Sequence, residues 1–185
     1  MKTNLYPKLA IAAALAAAVC VANLRAAETN GIPSRIGTYD SRAVAYAHFS
    51  TAENLRQINK SKQAAQAARD AGQTNRFQEL AAMLRQEQDE IHREVFSTAP
   101  ATNALAALKE RLPEIQKEAG VSTLVSKWDD EALKKYPGAE QVDVTDRLVR
   151  EFKPTDKQLK VISGFEKSKP LPLDECNELI LKGKI

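Results

Sequence analysis

Cysteine is almost missing: Cys20 and Cys176 are the two in 185 residues, and the first sits in a segment that reads as a leader. No disulfide can then form within the processed chain, so covalent staples do not hold the fold. Cys176 reads either as a buried thiol or as a point of intermolecular pairing. Aromatic residues make up only 5% of the sequence, and large apolar side chains are sparse enough that a compact monomer of this size is expected to be marginal, with oligomerisation supplying the missing burial. Trp128, Tyr39 and Tyr136 read as packing residues of the body rather than as a cofactor box. With seven glycines the chain builds no phosphate-cradling loop. His48 and His92 stand far apart, without a neighbouring cysteine or an HExxH-like spacing, which argues against a metal site or a nucleophile and base pair. Asp129, Asp130 and Glu131 are consecutive, so they lack the alternating spacing and glycine turn of a calcium loop and read as a solvated helix start. The expectation is no enzyme, no metal and no cofactor.

What is present begins with Lys2 and Lys8 ahead of an apolar run from Leu9 to Ala22, too short to span a bilayer comfortably and shaped like a signal peptide. Cleavage after Ala22 fits the small residues there, and a cut near Ala26 or Ala27 competes with it. Val19 stands where lipidation of Cys20 would want a small side chain. Export follows, with no integral membrane segment expected after processing. Losing Lys2 and Lys8 lowers the formal charge from +3 to +1, so no global field draws nucleic acid.

Residues 23–34 contain Asn30-Gly31 and Pro33 and read as a flexible lead-in. A short strand is predicted over Ile36 to Tyr39. From Ser41 to about Ala119 the alanine-, glutamine- and charge-rich composition predicts helix, capped by Asp40 or Ser41. Val44, His48, Thr51, Leu55, Ile58, Lys62, Ala65 and Arg69 follow steps of four and three, a thin coiled-coil seam. Gly72 and Thr74 mark a reversal. Phe77, Leu80, Leu84, Ile91 and Val95 then form a stripe at helical spacing, so the two segments are expected to zip together as an antiparallel hairpin. Ser97-Thr-Ala-Pro100 interrupts the return arm, Pro113 kinks its continuation and Gly120 ends it. The return arm is the longer, and its excess either folds against the body or extends past its partner. Further strands are predicted at Val121 to Ser126 and Gln141 to Val144. Trp128 to Tyr136 reads as a short helix or as a strand with a long turn. Thr145 caps a two-turn helix through Phe152, and Pro154 stops it. Thr155 caps the tail's first helix, and no partner is evident for the tail's apolar face.

Ile36-Gly-Thr-Tyr-Asp-Ser-Arg-Ala-Val44, Gly120-Val-Ser-Thr-Leu-Val125 and Val142-Asp-Val-Thr-Asp-Arg-Leu-Val149 occur in the order and spacing of the opening strand and arm, the later strand and the final short helix of one family. Over roughly Arg35 to Phe152 the chain resembles the Skp/OmpH family of periplasmic holdase chaperones. Trp128-Asp-Asp-Glu131 departs from it, standing where an apolar strand is usual. The resemblance implies a periplasmic destination and a homotrimer whose subunits give strands to a shared β-body, each projecting one hairpin around a cavity for unfolded outer-membrane proteins. Ile36, Tyr39, Val121, Leu124, Val125, Val142 and Val144 are then the expected residues of the β-body and oligomer contact.

The expected fold class is α+β, predominantly helical, with a long antiparallel helical hairpin projecting from a small β-body shared between subunits. The chain divides into a signal peptide at 1–22, a lead-in at 23–34, a Skp-like domain at 35–152 and a C-terminal extension at 153–185. Within the domain the arm covers about 41–119, and the body covers 35–40 and 121–146. Between Arg42 and Arg76 the positive residues outnumber Glu53 and Asp70, whereas Phe77 to Glu94 has the opposite sign. That opposition can hold the arms in register, leaving Lys60, Lys62, Arg69 and Arg76 to steer acidic clients. Phe77 is either an apolar client contact or part of the hairpin seam. The expected function is ATP-independent holding of unfolded outer-membrane or envelope proteins against aggregation. The alternative is a non-catalytic structural or adaptor protein of the envelope, binding one folded partner through the same hairpin.

Overall fold

The structure, a computed structural model, describes residues 33–185. The expected leader and nearly all of the lead-in lie outside the described residues. The chain runs β1 (Arg35–Tyr39), α1 (Ser41–Phe49), α2 (Ala52–Asp70), α3 (Thr74–Phe96), α4 (Thr102–Ala107), α5 (Leu112–Ala119), β2 (Leu124–Ser126), α6 (Asp130–Leu133), β3 (Glu140–Asp143), α7 (Thr145–Glu151), α8 (Asp156–Phe165) and α9 (Leu173–Leu181). It is a mostly helical α+β fold around a small parallel sheet of order β2-β1-β3.

β1 is the central strand, with Gly37 opposite Leu124 on one side and opposite Val142 on the other. A Cβ at Gly37 would come 2.7 Å from Leu124 Cδ2 and 3.1 Å from Val121, so close packing over the sheet requires glycine there. Both neighbours run parallel to β1, which demands long crossovers. The first crossover, from β1 to β2, carries α1 to α5; the second carries only α6.

α1 follows β1 directly. Asp40 caps it by accepting from the Arg42 amide. Ala43, Val44, Ala45 and Ala47 are all buried, so this helix lies inside the molecule rather than on its surface. Three of the four are alanine, whose small side chain lets neighbours approach closely, and α3, α4, α7 and α8 all pack against α1. Val95, Ala104, Leu108, Ile115, Leu148, Val149 and Ile162 complete the core.

The helix predicted from Ser41 is divided at Ser50 and Thr51. The Thr51 hydroxyl accepts from the Asn54 amide, and Asn54 Nδ2 donates to the His48 carbonyl at 2.7 Å. Two polar side chains thus satisfy the backbone groups freed at the junction, as such residues do at helix ends. The heptad-like seam therefore does not run through. Val44 packs in the body, Leu55 is 47% exposed, and of the distal positions Ala65 is buried together with Ala68 rather than with Arg69. α2 and α3 pack together through Ala65, Ala68 and Leu80, with Phe77 and Leu84 alongside.

The return helix ends at Phe96, just ahead of Ser97-Thr-Ala-Pro100. Its excess chain becomes α4 and α5, folded on the body, with Gly120 at φ 65° closing α5. Trp128 to Tyr136 contains the short helix α6, capped by Asp129. The tail has partners after all. α8 lies on α1, and α9 lies on α3, where Cys176 is wholly buried with its Sγ 3.8 Å from the His92 carbonyl.

The expected oligomer residues are covered by the chain's own elements. Ile36, Tyr39, Val121, Val125 and Val144 are buried, while Leu124 and Val142 are half-buried. Val144→Asp is therefore expected to cost several kcal/mol of fold stability, because a charge would lie unpaired in the core. Val142→Asp, on an edge strand, should cost much less. Thermal unfolding of the two single variants checks this, and equal losses would contradict the packing described.

Candidate functional site

Three features of the described residues offer chemistry or a surface: the carboxyl ends of the strands, a groove beside α1, and the turn between α2 and α3.

The first is built on Asp40, immediately after β1. Its Oδ2 lies 3.0 Å from Arg42 Nη2 and 3.4 Å from Lys127 Nζ, and its Oδ1 accepts from Arg42 Nε and from the Trp128 indole at 3.0 Å. Only 3% of either Asp40 or Arg42 side chain reaches solvent. Arg42 Nη2 also donates to the carbonyls of Phe165 and Ser168 at 2.9 and 3.0 Å, and its guanidinium lies 5.0 Å from the Trp128 ring centroid and 5.3 Å from that of Phe165. Burial alone would push the Asp40 carboxyl up, but hydrogen bonds from Arg42 and Trp128, with the charges of Arg42 and Lys127, hold it below the usual carboxylate range. Most of the carboxylate's acceptor capacity is thus committed to the fold. Asp40 also lines a crevice of about 260 Å3, with Lys127, Asp143, Thr145, Asp146 and Glu166 among the other residues around it. Among the described residues no group of three or more histidine, cysteine or acidic side chains is placed to hold a metal ion.

A second buried carboxylate is Glu94 on α3. Its Oε1 accepts from the Asn103 amide and from Asn103 Nδ2 at 3.1 and 2.9 Å, while Oε2 is buried without a partner. Burial pushes its pKa up, against the hydrogen bonds from Asn103. The Tyr39 hydroxyl is pushed up to about 12, chiefly by burial, with Asp129 and Glu94 adding to it.

The second feature is a groove of about 620 Å3. α1 supplies its floor with Tyr46 and Phe49. α3 forms one wall with Ile91, Val95 and Phe96, α8 the other with Val161 and Phe165, and Leu55 and Ile58 close the end toward α2.

The third is the turn at Ala71 to Gln73. Lys60, Lys62, Arg69 and Arg76 are exposed around α2 and the start of α3. Arg76 pairs with Glu79, while Arg69 lies over the Phe77 ring at 6.0 Å. Phe77 itself is half-buried in the seam between the helices, so its ring is mostly spent on holding the pair together. Arg69 and Arg76 flank the turn, whereas Lys60 and Lys62 stand midway along α2, so the four are not gathered into one cluster.

Sequence reasoning missed both the buried ion pair and the groove. A short Asp-Ser-Arg run carries no sign that its charges face inward, and the groove depends on a tail that had no assigned partner.

Compared with known proteins, the chain matches no family model, no curated protein and no solved structure. No described helix is long and apolar enough to cross a membrane.

Two substitutions read the buried carboxylates. Asp40→Asn at pH 7 should cost about 3–5 kcal/mol, since Arg42 would keep its charge without a partner. The wild-type contribution of Asp40, whose pKa is lowered on folding, is present above its ordinary value near 4 and fades as pH falls below it. Glu94 has the opposite sign: its raised pKa makes its contribution fullest in acid, and it is lost as pH rises through the folded value. Glu94→Gln keeps the Oε1 acceptor, so Tm should rise by about 2–4 °C at pH 8, the equivalent of about 1 kcal/mol, and should not rise at pH 4. Calorimetry across that range checks both signs.

Proposed function

We propose that this is an exported, non-catalytic polypeptide-binding protein, a holdase that keeps unfolded envelope or outer-membrane proteins from aggregating without consuming ATP. The observation that carries the reading is the economy of the α2 and α3 pair. Across helices of 19 and 23 residues, the distal contact buries only Ala65, Ala68 and Leu80. Two helices that bury so little between themselves keep most of their surface for something else.

That surface suits weak, repeated contacts. Met83 is 64% exposed, the basic side chains Lys60, Lys62, Arg69 and Arg76 stand in water, and Glu79, Glu87, Asp89 and Glu90 give α3 the opposite sign. A holdase needs many such contacts and no tight pocket, because its clients differ in sequence and must leave without fuel. Several arms around one client raise the local concentration of contact sites, so poor contacts sum to useful affinity. The proposal therefore includes assembly as a homotrimer with the hairpins projecting as arms. β2 and β3, the two outer strands of the sheet, are the edges at which a neighbouring copy would meet the body. The resemblance to the Skp/OmpH family supports both parts, and the leader expected from the sequence, together with that resemblance, supports a periplasmic location.

A second reading, an envelope adaptor for one folded partner, is favoured by the way α3 is fastened at its base, where Arg93 Nε donates to Asn177 Oδ1 at 2.8 Å. A rigidly mounted arm suits a fixed docking geometry.

Light scattering separates the two. A denatured β-barrel protein diluted into buffer should aggregate several-fold less with a modest molar excess of the purified protein. Replacing Lys60, Lys62 and Arg69 with glutamate should weaken that protection toward acidic clients while leaving the helical content intact. Unchanged aggregation at excess protein would sink the holdase reading in favour of the adaptor. A solution mass of one chain would remove the trimer from it.

A further inference from the structure

The groove beside α1 is a different surface from the arm, and its composition narrows what fits it. Of its lining residues most are apolar or aromatic, Tyr46, Phe49, Ile91, Phe96, Val161 and Phe165 among them; Ser50, His92, Thr155 and Gln158 are polar, and Lys157 is the one lysine, with no arginine or acid beside it. No carboxylate faces the groove, and Lys157 makes no ion pair or side-chain hydrogen bond with any described residue.

From these features we infer that the groove is a docking site for a short amphipathic helix that lays an apolar face between α3 and α8 and sets an acidic side chain against Lys157. The walls decide for a helix over an acyl chain. Leu55, Phe96 and Val161 on the rims keep 47%, 43% and 41% of their surface in solvent. A site for a small amphiphile encloses most of its ligand, whereas this one leaves an open side. A helix in a groove requires that open side, because its polar face stays wet. The length agrees. From Lys157 to Phe165 the α8 wall spans about 12 Å at 1.5 Å per residue, which accommodates roughly two turns of a docked helix with apolar residues at i, i+3 or i+4, and i+7. The arrangement also gives polarity: α8 places Lys157 at one end of its wall and Phe165 at the other, so the occupant's carboxylate belongs at the end nearest Lys157. This site does not rest on the arm reading, since none of Lys60, Lys62, Arg69, Arg76 or Phe77 lines it.

The test uses the purified full chain and three fluorescein-labelled synthetic peptides of equal length. One is a helix with a leucine face flanked by glutamates, the second has lysine at each glutamate position, and the third is the acidic peptide broken by two central prolines. By anisotropy the acidic helix should bind saturably, at least five-fold tighter than the basic one. Lys157→Glu should invert that preference, and Val161→Glu, at a rim position, should weaken the acidic helix at least ten-fold with an unchanged circular dichroism spectrum. Equal binding of the acidic and basic peptides would overturn the charge assignment. Equal binding of the proline peptide would overturn the helix and indicate extended client chain instead. Competition by decanoate, or a self-association lost in Val161→Glu, would assign the groove to an amphiphile or to a second copy. Protection of a denatured client that persists in Val161→Glu would leave the arm reading standing whatever the peptides do.

Discussion

The buried pair of Asp40 and Arg42 holds the body together in a way no apolar contact does. A carboxylate and a guanidinium with 3% of each side chain exposed are tolerable in the interior only when each charge meets its opposite and the remaining donors and acceptors are filled. Here the filling comes from distant parts of the chain. The Trp128 indole follows β2, the Thr145 hydroxyl accepting from the Asp40 amide opens α7, and the carbonyls of Phe165 and Ser168 end α8. If the segment carrying Trp128 or the end of α8 leaves, a buried charged group loses a partner, and if α7 leaves, the buried Asp40 amide does. The pair thus couples the central strand to the tail, although they lie more than a hundred residues apart in sequence, and it makes residues 153–185 part of the body's packing. The same cost falls on any unfolding of α8 alone, since Arg42 Nη2 would lose two of its three acceptors and keep only Asp40.

This coupling creates the groove. Arg42 fixes the end of α8 over α1, and Phe165 is held edge-on to Tyr46 with ring centroids 5.8 Å apart. At the other end of α8, Gln158 Nε2 donates to the Ser50 carbonyl at 2.6 Å, at the junction where the outgoing helix breaks. α8 is pinned at both ends on α1, and α3 is pinned on α1 by Val95 and on α9 by Arg93 and Cys176. Neither wall can slide in to cover Tyr46 and Phe49 without giving up a buried polar contact. Apolar surface that would otherwise collapse is held open by polar fastening.

Much of the local structure was legible because it follows from single residues. Gly120 stops α5 where it stands, α3 ends at Phe96 ahead of the Ser97 to Pro100 interruption, Thr155 caps α8 with Gln158 returning the bond, and the strands expected at Ile36 to Tyr39 and Gln141 to Val144 lie within one residue of β1 and β3. What escaped was whatever depends on distance in space. Alanine contributes little to a count of large apolar side chains, so the core was judged thin; yet Ala43, Ala45, Ala47, Ala101 and Ala104 are buried because small side chains let α1, α3 and α4 approach closely. The break at Thr51 escaped because its period matched a continuous helix, and only the capping by Thr51 and Asn54 separates the two halves. Of the residues expected to meet a client, Lys60, Lys62, Arg69 and Arg76 are exposed as a charged surface should be, whereas Phe77 is largely enclosed by its own hairpin.

That break at Thr51 has a mechanical meaning. On its body side, α1 is locked by packing on every face but the one that floors the groove, and by the Asp40 and Arg42 pair. On the far side, α2 touches chiefly α3, through a seam of two alanines and a leucine. At roughly 25 cal/mol for each Å2 of apolar surface removed from water, alanine positions contribute only a small fraction of what leucine would, so the distal hairpin is held less firmly than α1 and the core around it. Local opening in a folded protein follows such differences. The distal turns of α2 and α3 can therefore fray or splay while the ion pair, the sheet and the groove stay intact. On the holdase proposal that division would be useful, because adjustment to polypeptides of unlike shape would cost little at the hairpin and leave the body's buried charges undisturbed.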